Sequence, residues 1–98
     1  MATVTWPPKD PGEEIDYELD WGTKRLAAGE TIVSSQWEVA EGTVEIMASP
    51  APSIGAGEIT KVWLEGGAVD ETCVLNNIVT TSAGRRREAS AKLKIKDK

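Results

Sequence analysis

The chain contains no histidine, no phenylalanine and a single cysteine. Each gap excludes chemistry. Without histidine there is no Ser-His-Asp triad, no Cys-His pair, no imidazole metal ligand and no general base with an ordinary pKa near neutrality. One cysteine makes neither an intrachain disulfide nor a thiolate metal cluster. Cys73 stands in an apolar alternating stretch and reads as a small buried hydrophobe. No apolar run reaches the ~20 residues of a membrane-spanning helix. The opening Met1-Ala-Thr-Val-Thr-Trp6 lacks a basic region followed by an apolar stretch, so no signal peptide is expected. The formal net charge of −5 leaves no basic face for nucleic acid. A length of 98 residues suffices for a single domain, 1–98, with one core. Glycosidases use two carboxylates ~5–10 Å apart across a cleft. A chain this short has little room for a cleft, and no nucleophile, base and orienting group assemble in it, so no enzymatic activity is expected.

What is present is two-residue alternation. Residues 31–39 read Thr-Ile-Val-Ser-Ser-Gln-Trp-Glu-Val. Val33, Trp37 and Val39 share a parity with Thr31 and Ser35, so an extended strand places them on one face. A tryptophan on the third strand of an immunoglobulin-type sandwich packs between the sheets, which makes Trp37 the expected centre of the core. Residues 14–21 alternate most cleanly: Ile15, Tyr17, Leu19 and Trp21 take one face, Glu14, Asp16, Glu18 and Asp20 the other. Acids along a strand point the same way without enclosing a cation, so this is a solvated face and no metal site is expected. In residues 72–81, Cys73, Leu75, Asn77, Val79 and Thr81 share a face. If that face turns inward, Asn77 becomes a buried amide that must find partners. Ala89, Ala91, Leu93 and Ile95 alternate with Ser90, Lys92, Lys94 and Lys96, a basic wet face suited to an edge strand. Residues 2–6 form a short edge strand stopped by Pro7, Pro8 and Pro11, with Trp6 as a lid on the core. Residues 58–65 are apolar on both parities and do not declare an inward face. Turn residues punctuate the strands at 40–42, 66–68 and 82–84, and two prolines and two glycines make 49–57 an irregular loop. No helix-length periodicity occurs. The expected fold is all-β, an antiparallel immunoglobulin-like or fibronectin-III-like sandwich of about seven strands.

Chain direction reverses at each connection, so the loops 22–30, 49–57 and 82–87 are expected at one end of the sandwich, where this architecture carries recognition. Lys24, Arg25, Pro50, Pro52, Arg85, Arg86 and Arg87 on these loops are the candidate partner-contact residues. Three successive arginines alternate faces in an extended strand and do not grip one ligand together. Contact with an acidic partner is the functional reading of the triplet, and a solvated hairpin shoulder is the plain one.

Several segments resemble, in order along the chain, the small phage proteins called fiber–tail adaptors. They are Val4-Thr-Trp-Pro-Pro-Lys-Asp-Pro11, Asp16-Tyr-Glu-Leu-Asp-Trp21, Leu26-Ala-Ala-Gly-Glu-Thr-Ile32 followed by Ser35-Gln-Trp37, Val62-Trp-Leu-Glu-Gly-Gly67, and Asn77 with Thr80-Thr81 and Gly84-Arg85. Cys73 and Ala91 stand where the family carries larger aromatic residues. The resemblance implies a structural component of a tailed-phage virion, in the neck or tail, joining a fiber or tail part to the particle. It implies no enzymatic activity and no cofactor, other virion proteins as partners, and several symmetry-related copies. It also implies assembly in the bacterial host cytoplasm, where disulfides rarely persist. Two further readings stay open at this point: a carbohydrate-binding or adhesive sandwich, marked by an exposed coplanar tryptophan pair, and a phage head decoration protein.

Overall fold

A computed structural model of the chain describes residues 3–22, 25–56 and 58–97. Eight strands follow one another: β1 (Thr3–Thr5), β2 (Ile15–Asp20), β3 (Ile32–Glu41), β4 (Val44–Ile46), β5 (Ser53–Gly55), β6 (Ile59–Gly66), β7 (Thr72–Thr81) and β8 (Arg86–Lys94). They form an immunoglobulin-like sandwich. One sheet has the order β1-β8-β7-β3; the other has β2-β6-β4, with β5 also pairing β6. All pairings are antiparallel except that of β1 with β8.

The alternation read from the sequence decides which residues meet between the sheets. Tyr17 and Leu19 of β2, Val62 and Leu64 of β6, Cys73, Leu75 and Val79 of β7, and Ala89, Ala91 and Leu93 of β8 are all buried. Trp6 is buried as well and stacks on Tyr17 with ring centroids 4.8 Å apart. Its indole N–H donates to the Glu18 carbonyl at 3.0 Å, closing one side of the sandwich.

Four expectations are corrected. The loop 49–57 contains β5, which adds a strand to the expected seven. The basic strand is not an edge: β8 lies between β1 and β7, and its lysines line the outer face of an inner strand. Val33 does not share the face of Trp37. A register shift between Ile32 and Ser34 turns Ile32 inward and leaves Val33 65% exposed. Trp37 itself is only partly buried, packed against the core from an edge strand, whereas Trp21 is fully enclosed. Burying the Trp21 ring removes roughly 150–250 Å² from water, worth about 4–6 kcal/mol.

Trp6 and Trp37 start from strands at opposite edges of one sheet, yet their ring centroids lie 5.8 Å apart. They meet across the inner strands β7 and β8, where the inward residues Asn77, Ala89 and Ala91 are small enough to admit both rings. Alanine at 91 is thus matched by tryptophans reaching in from the two flanks.

Asn77 sits at the centre with no exposed surface. Its Oδ1 accepts from Trp21 Nε1 at 2.8 Å and from Thr60 Oγ1 at 2.7 Å. Its Nδ2 donates to Ser35 Oγ and to the Gln36 carbonyl, both at 2.9 Å. All four of its hydrogen-bonding capacities are used, which is the condition under which a buried amide stabilises a core.

At the end away from the arginines, Lys9 is fully buried and donates Nζ to the carbonyls of Asp10 at 2.9 Å and Gly66 at 2.8 Å. Burial lowers the pKa of its ammonium, and the neighbouring charges of Glu13 and Asp10 partly oppose that shift. Glu71 Oε1 accepts from the amide and hydroxyl of Thr43, each at 2.9 Å, from Cys73 Sγ at 3.2 Å and from the Ala68 amide at 3.3 Å. These bonds, the Thr43 amide foremost, hold its carboxyl down at about 2. Gly42, at φ 99°, makes the turn into this site; a Cβ there would lie 2.5 Å from Cys73 Sγ.

Replacing Asn77 with leucine orphans Trp21 Nε1 in the core and leaves Thr60 Oγ1 only the Leu19 carbonyl at 3.4 Å. It is expected to lower unfolding free energy by about 3–5 kcal/mol in urea titration, more than Asn77→Asp at a pH where the new acid is neutral. Because the folded pKa of Glu71 lies below its ordinary 4.5, its ionised form stabilises the fold. That contribution is complete above pH 4.5 and is lost as pH falls toward about 2. Melting curves of Glu71→Gln are expected to show a weaker decline over that window than those of the wild type.

Candidate partner-contact surface

β2 ends at Asp20 opposite Ile59, β7 ends at Thr81 opposite Ile32, and β8 opens at Arg86 opposite Thr80. The loop after β2, the β5–β6 turn and the β7–β8 turn therefore share one end, as the alternation of chain direction requires. Arg25, Arg85, Arg86 and Arg87 lie at this end. Lys24 lies outside the described residues. Pro50 and Pro52 do not join the arginines. β4 leaves β6 opposite Leu64 and β5 rejoins it opposite Lys61, so the two prolines are exposed on the flank of the sheet, part-way down, after a cis Ser49–Pro50 bond. The loop expected as one unit is divided by β5, and only its last turn reaches the end.

The arginines divide into braces and free groups. Arg87 Nη1 donates to the Arg25 carbonyl at 2.6 Å, fastening the loop after β2 to the start of β8. Arg25 donates Nη1 to the Asp20 carbonyl at 2.8 Å and lies over the Trp21 ring, 5.7 Å from its centroid. Both are half-buried. Arg85 stands 3.8 Å from Glu30 Oε1 with its side chain 56% exposed, and Arg86 stands 3.4 Å from Glu88 with its side chain 67% exposed. The Arg86–Glu88 pair is exposed and contributes little to stability, while Arg85 leans on a buried carboxylate with more than half of its own side chain in solvent; both guanidinium groups remain open to another molecule.

Glu30 is the acid that sequence reasoning missed. It is buried, accepts from Thr81 Oγ1 at 2.5 Å and from the Ala27 amide at 2.9 Å, and its pKa is lowered by those bonds, Thr81 first. The Ser82 amide donates to the Thr31 carbonyl, and the Thr31 amide donates back to Ser82 Oγ. Glu58 joins the two sheets: its carbonyl accepts from the Trp21 amide and its carboxylate from the Ile32 amide. The loops of this end are cross-linked to one another, so Arg85 and Arg86 project from a braced platform. No periodicity marks Glu30 or Glu58, since both lie outside the strands and their carboxylates bond mostly to backbone amides.

The outer face of the β2-β6-β4 sheet is acidic. Asp16, Glu18, Asp20, Glu45 and Glu65 lie there with Lys61, which pairs with Asp16 at 3.5 Å. Trp63 shares this outer parity with Lys61 and is half-buried, whereas Thr60, Val62 and Leu64 turn inward. The inward face of residues 58–65, undeclared by the sequence, is settled by this arrangement, and Trp63 is not a core residue.

Residues 9–94 match the family model described as Podophage GP4 fiber-tail adaptor protein gp77. The chain belongs to this family. Membership gives this gp77-family chain a structural role in a phage tail and places it among virion proteins that meet tail and fiber components. A comparison with curated proteins returned no match. Among solved structures, the PKD domain from the KIAA 1837 protein is similar at TM-score 0.54 and 19% identity, over 98% of this chain and 79% of that one. A 2,6-sialyltransferase of Photobacterium sp. JT-ISH-224 is similar at TM-score 0.58 and 11% identity. That match covers 98% of this chain, which spans only 18% of the transferase. At these identities the likeness concerns the fold alone.

Removing a brace is expected to cost more than reversing an exposed charge. Arg87→Ala loses a charged hydrogen bond to a half-buried carbonyl and is expected to lower unfolding free energy by about 1–2 kcal/mol. Arg86→Glu is expected to stay within ~0.5 kcal/mol of the wild type in the same denaturant titrations.

Proposed function

We propose that the chain acts as a single sandwich domain connecting a fiber or tail part to the phage particle by protein–protein contact at its arginine-bearing end. The observation that carries this reading is the pair of exposed guanidinium groups, Arg85 and Arg86, held on loops braced by Arg25, Arg87, Glu30 and Glu58. A rigid platform loses little conformational freedom on docking, so its charges are spent on selecting an acidic partner surface. Lys24 belongs to the same loop in sequence, and Pro50 and Pro52 extend the contact down the flank. Family membership supports a tail location. Neck attachment, several copies per particle, assembly in the host cytoplasm and the lack of catalytic activity complete the proposal. The carbohydrate reading finds no support: Trp6 and Trp21 are buried, Trp37 packs on the core, and Trp63 has no coplanar exposed partner among the described residues.

The test is incorporation. Phage carrying Arg85→Glu with Arg86→Glu is expected to produce a folded chain that mass spectrometry finds depleted from purified particles and from tails separated from heads. Normal incorporation of the double variant would overturn the assignment of this end. Recovery of the wild-type chain with heads alone would favour decoration of the head.

A further inference from the structure

The outer face of the β2-β6-β4 sheet carries a local conflict. Glu45 of β4 and Glu65 of β6 stand directly opposite each other in the ladder, and both turn outward. Like charges so placed on neighbouring strands repel and destabilise the sheet. Neither carboxylate has a hydrogen bond or an ion pair among the described residues. The buried Lys9 ammonium feels the charge of Glu65, but it donates to the Asp10 and Gly66 carbonyls. Lys61, the one cation that strand register puts on this face, stands opposite Glu18 and pairs with Asp16. The opposed acids are left uncompensated.

Beside them lies an aromatic ring of a kind the rest of the molecule buries. Trp63 precedes Glu65 by two residues on the same face, about 7 Å along the strand. The Met47 amide donates to the Trp63 carbonyl at 2.9 Å, so the pairing of β4 with β6 runs on and sets Met47 next to the indole. Glu45 is then a diagonal neighbour of Trp63, roughly 7–8 Å away. Trp6 and Trp21 are buried and Trp37 packs on the core, whereas Trp63 and Met47 are half-buried on the outside of the sandwich. The fold has no third layer to cover them. Tryptophan and methionine are enriched in protein interfaces, and tryptophan is among the residues that dominate their energetics.

We propose that this face docks an arginine-bearing segment of another protein, with a guanidinium set between Glu45 and Glu65 and against the Trp63 ring. Charge selects this occupant: Asp16, Glu18, Asp20, Glu45 and Glu65 stand there against Lys61 alone. A guanidinium is planar, offers donors to two carboxylates at once and stacks on an indole, where an ammonium is a point charge. The chain already makes such a contact within itself, with Arg25 5.7 Å from the centroid of the Trp21 ring and its Nη1 on a carbonyl. A metal cation is the poorer fit. Oxygens on a pleated face do not enclose an ion, and no group of three or more acids or other metal-binding side chains is gathered for one among the described residues. The contact depends neither on the arginine-bearing end nor on the adaptor role. Its sign is opposite to that of the arginine-bearing end, so the two surfaces select different partners.

The probe is a synthetic peptide alternating arginine with threonine, beside the same peptide with citrulline, which keeps the shape of arginine and loses its charge. At low salt the arginine peptide is expected to bind the full chain at least about tenfold tighter than the citrulline peptide in calorimetric titration. In NMR spectra the indole N–H signal of Trp63 is expected to move on binding, and that of Trp21, bonded to Asn77, to stay. Glu45→Lys turns the opposed pair into an attractive one. It is expected to raise the thermal midpoint of the chain and to weaken the arginine peptide at least about tenfold. Glu88→Lys makes the same charge change on the outer face of the other sheet and is expected to leave that Kd within about twofold. Equal binding of the two peptides, a Trp63 signal that stays, a lowered midpoint in Glu45→Lys, or equal weakening by Glu88→Lys overturns the inference. So does calcium chloride moving the Trp63 signal when the arginine peptide does not, or self-association of the chain that Glu45→Lys abolishes.

Discussion

The structure depends on one buried amide having all its partners. Asn77 ties the residue after β2, through Trp21, to β6, through Thr60, and to β3, through Ser35 and Gln36. Four elements from two sheets are registered by four hydrogen bonds to a side chain closed off from solvent. An apolar side chain there would fill volume, but it would not specify which residue of β3 lies over which residue of β7. The buried polar group sets strand register and inter-sheet spacing together. The loops above inherit their positions from it, because Trp21 carries Arg25 over its ring and Arg25 receives Arg87.

Much of this was legible in the residues. The inward sets of β2, β7 and β8 follow from period two, and so does the need of Asn77 for partners. Three features escaped for identifiable reasons. Val33 shares parity with Trp37 in the sequence, and only the extra residue of a bulge separates them; nothing local announces that bulge. The third-strand position singled out Trp37 as the central ring, whereas Trp21 holds that place. What ranks them is that β3 is an edge strand, a fact set by tertiary pairing. β8 looked like an edge because it carries lysines, yet those lysines line the outer face of an inner strand. At the candidate site, the common end of the loops follows from chain reversal. The division of arginines into braces and free groups does not, since Arg87 is fixed by a backbone carbonyl that has no sequence signature. Pro50 and Pro52 were displaced from the end by a three-residue strand too short to show a period.

Charge is distributed by face and by end. Carboxylates line the outer surface of the β2-β6-β4 sheet, lysines line β8, and arginines gather where the loops meet. A domain whose polar surface is so divided presents different chemistry to each neighbour. That suits a structural protein of a phage tail.

The parallel pairing of β1 with β8 has a mechanical consequence. Thr3 lies beside Ser90 and Thr5 beside Lys92, and the ladder continues through the Trp6 amide to Lys92, the Lys9 amide to Lys94, and the Lys96 amide back to Lys9. Tension entering ahead of Thr3 and leaving beyond Ile95 pulls these two segments past each other along their length. The bonds are then loaded in shear, all together, instead of being peeled one at a time. Resistance to such force is set by the rate of unfolding and not by equilibrium stability. The buried Lys9 ammonium, anchored to the end of β6, holds the far end of that ladder in place under strain.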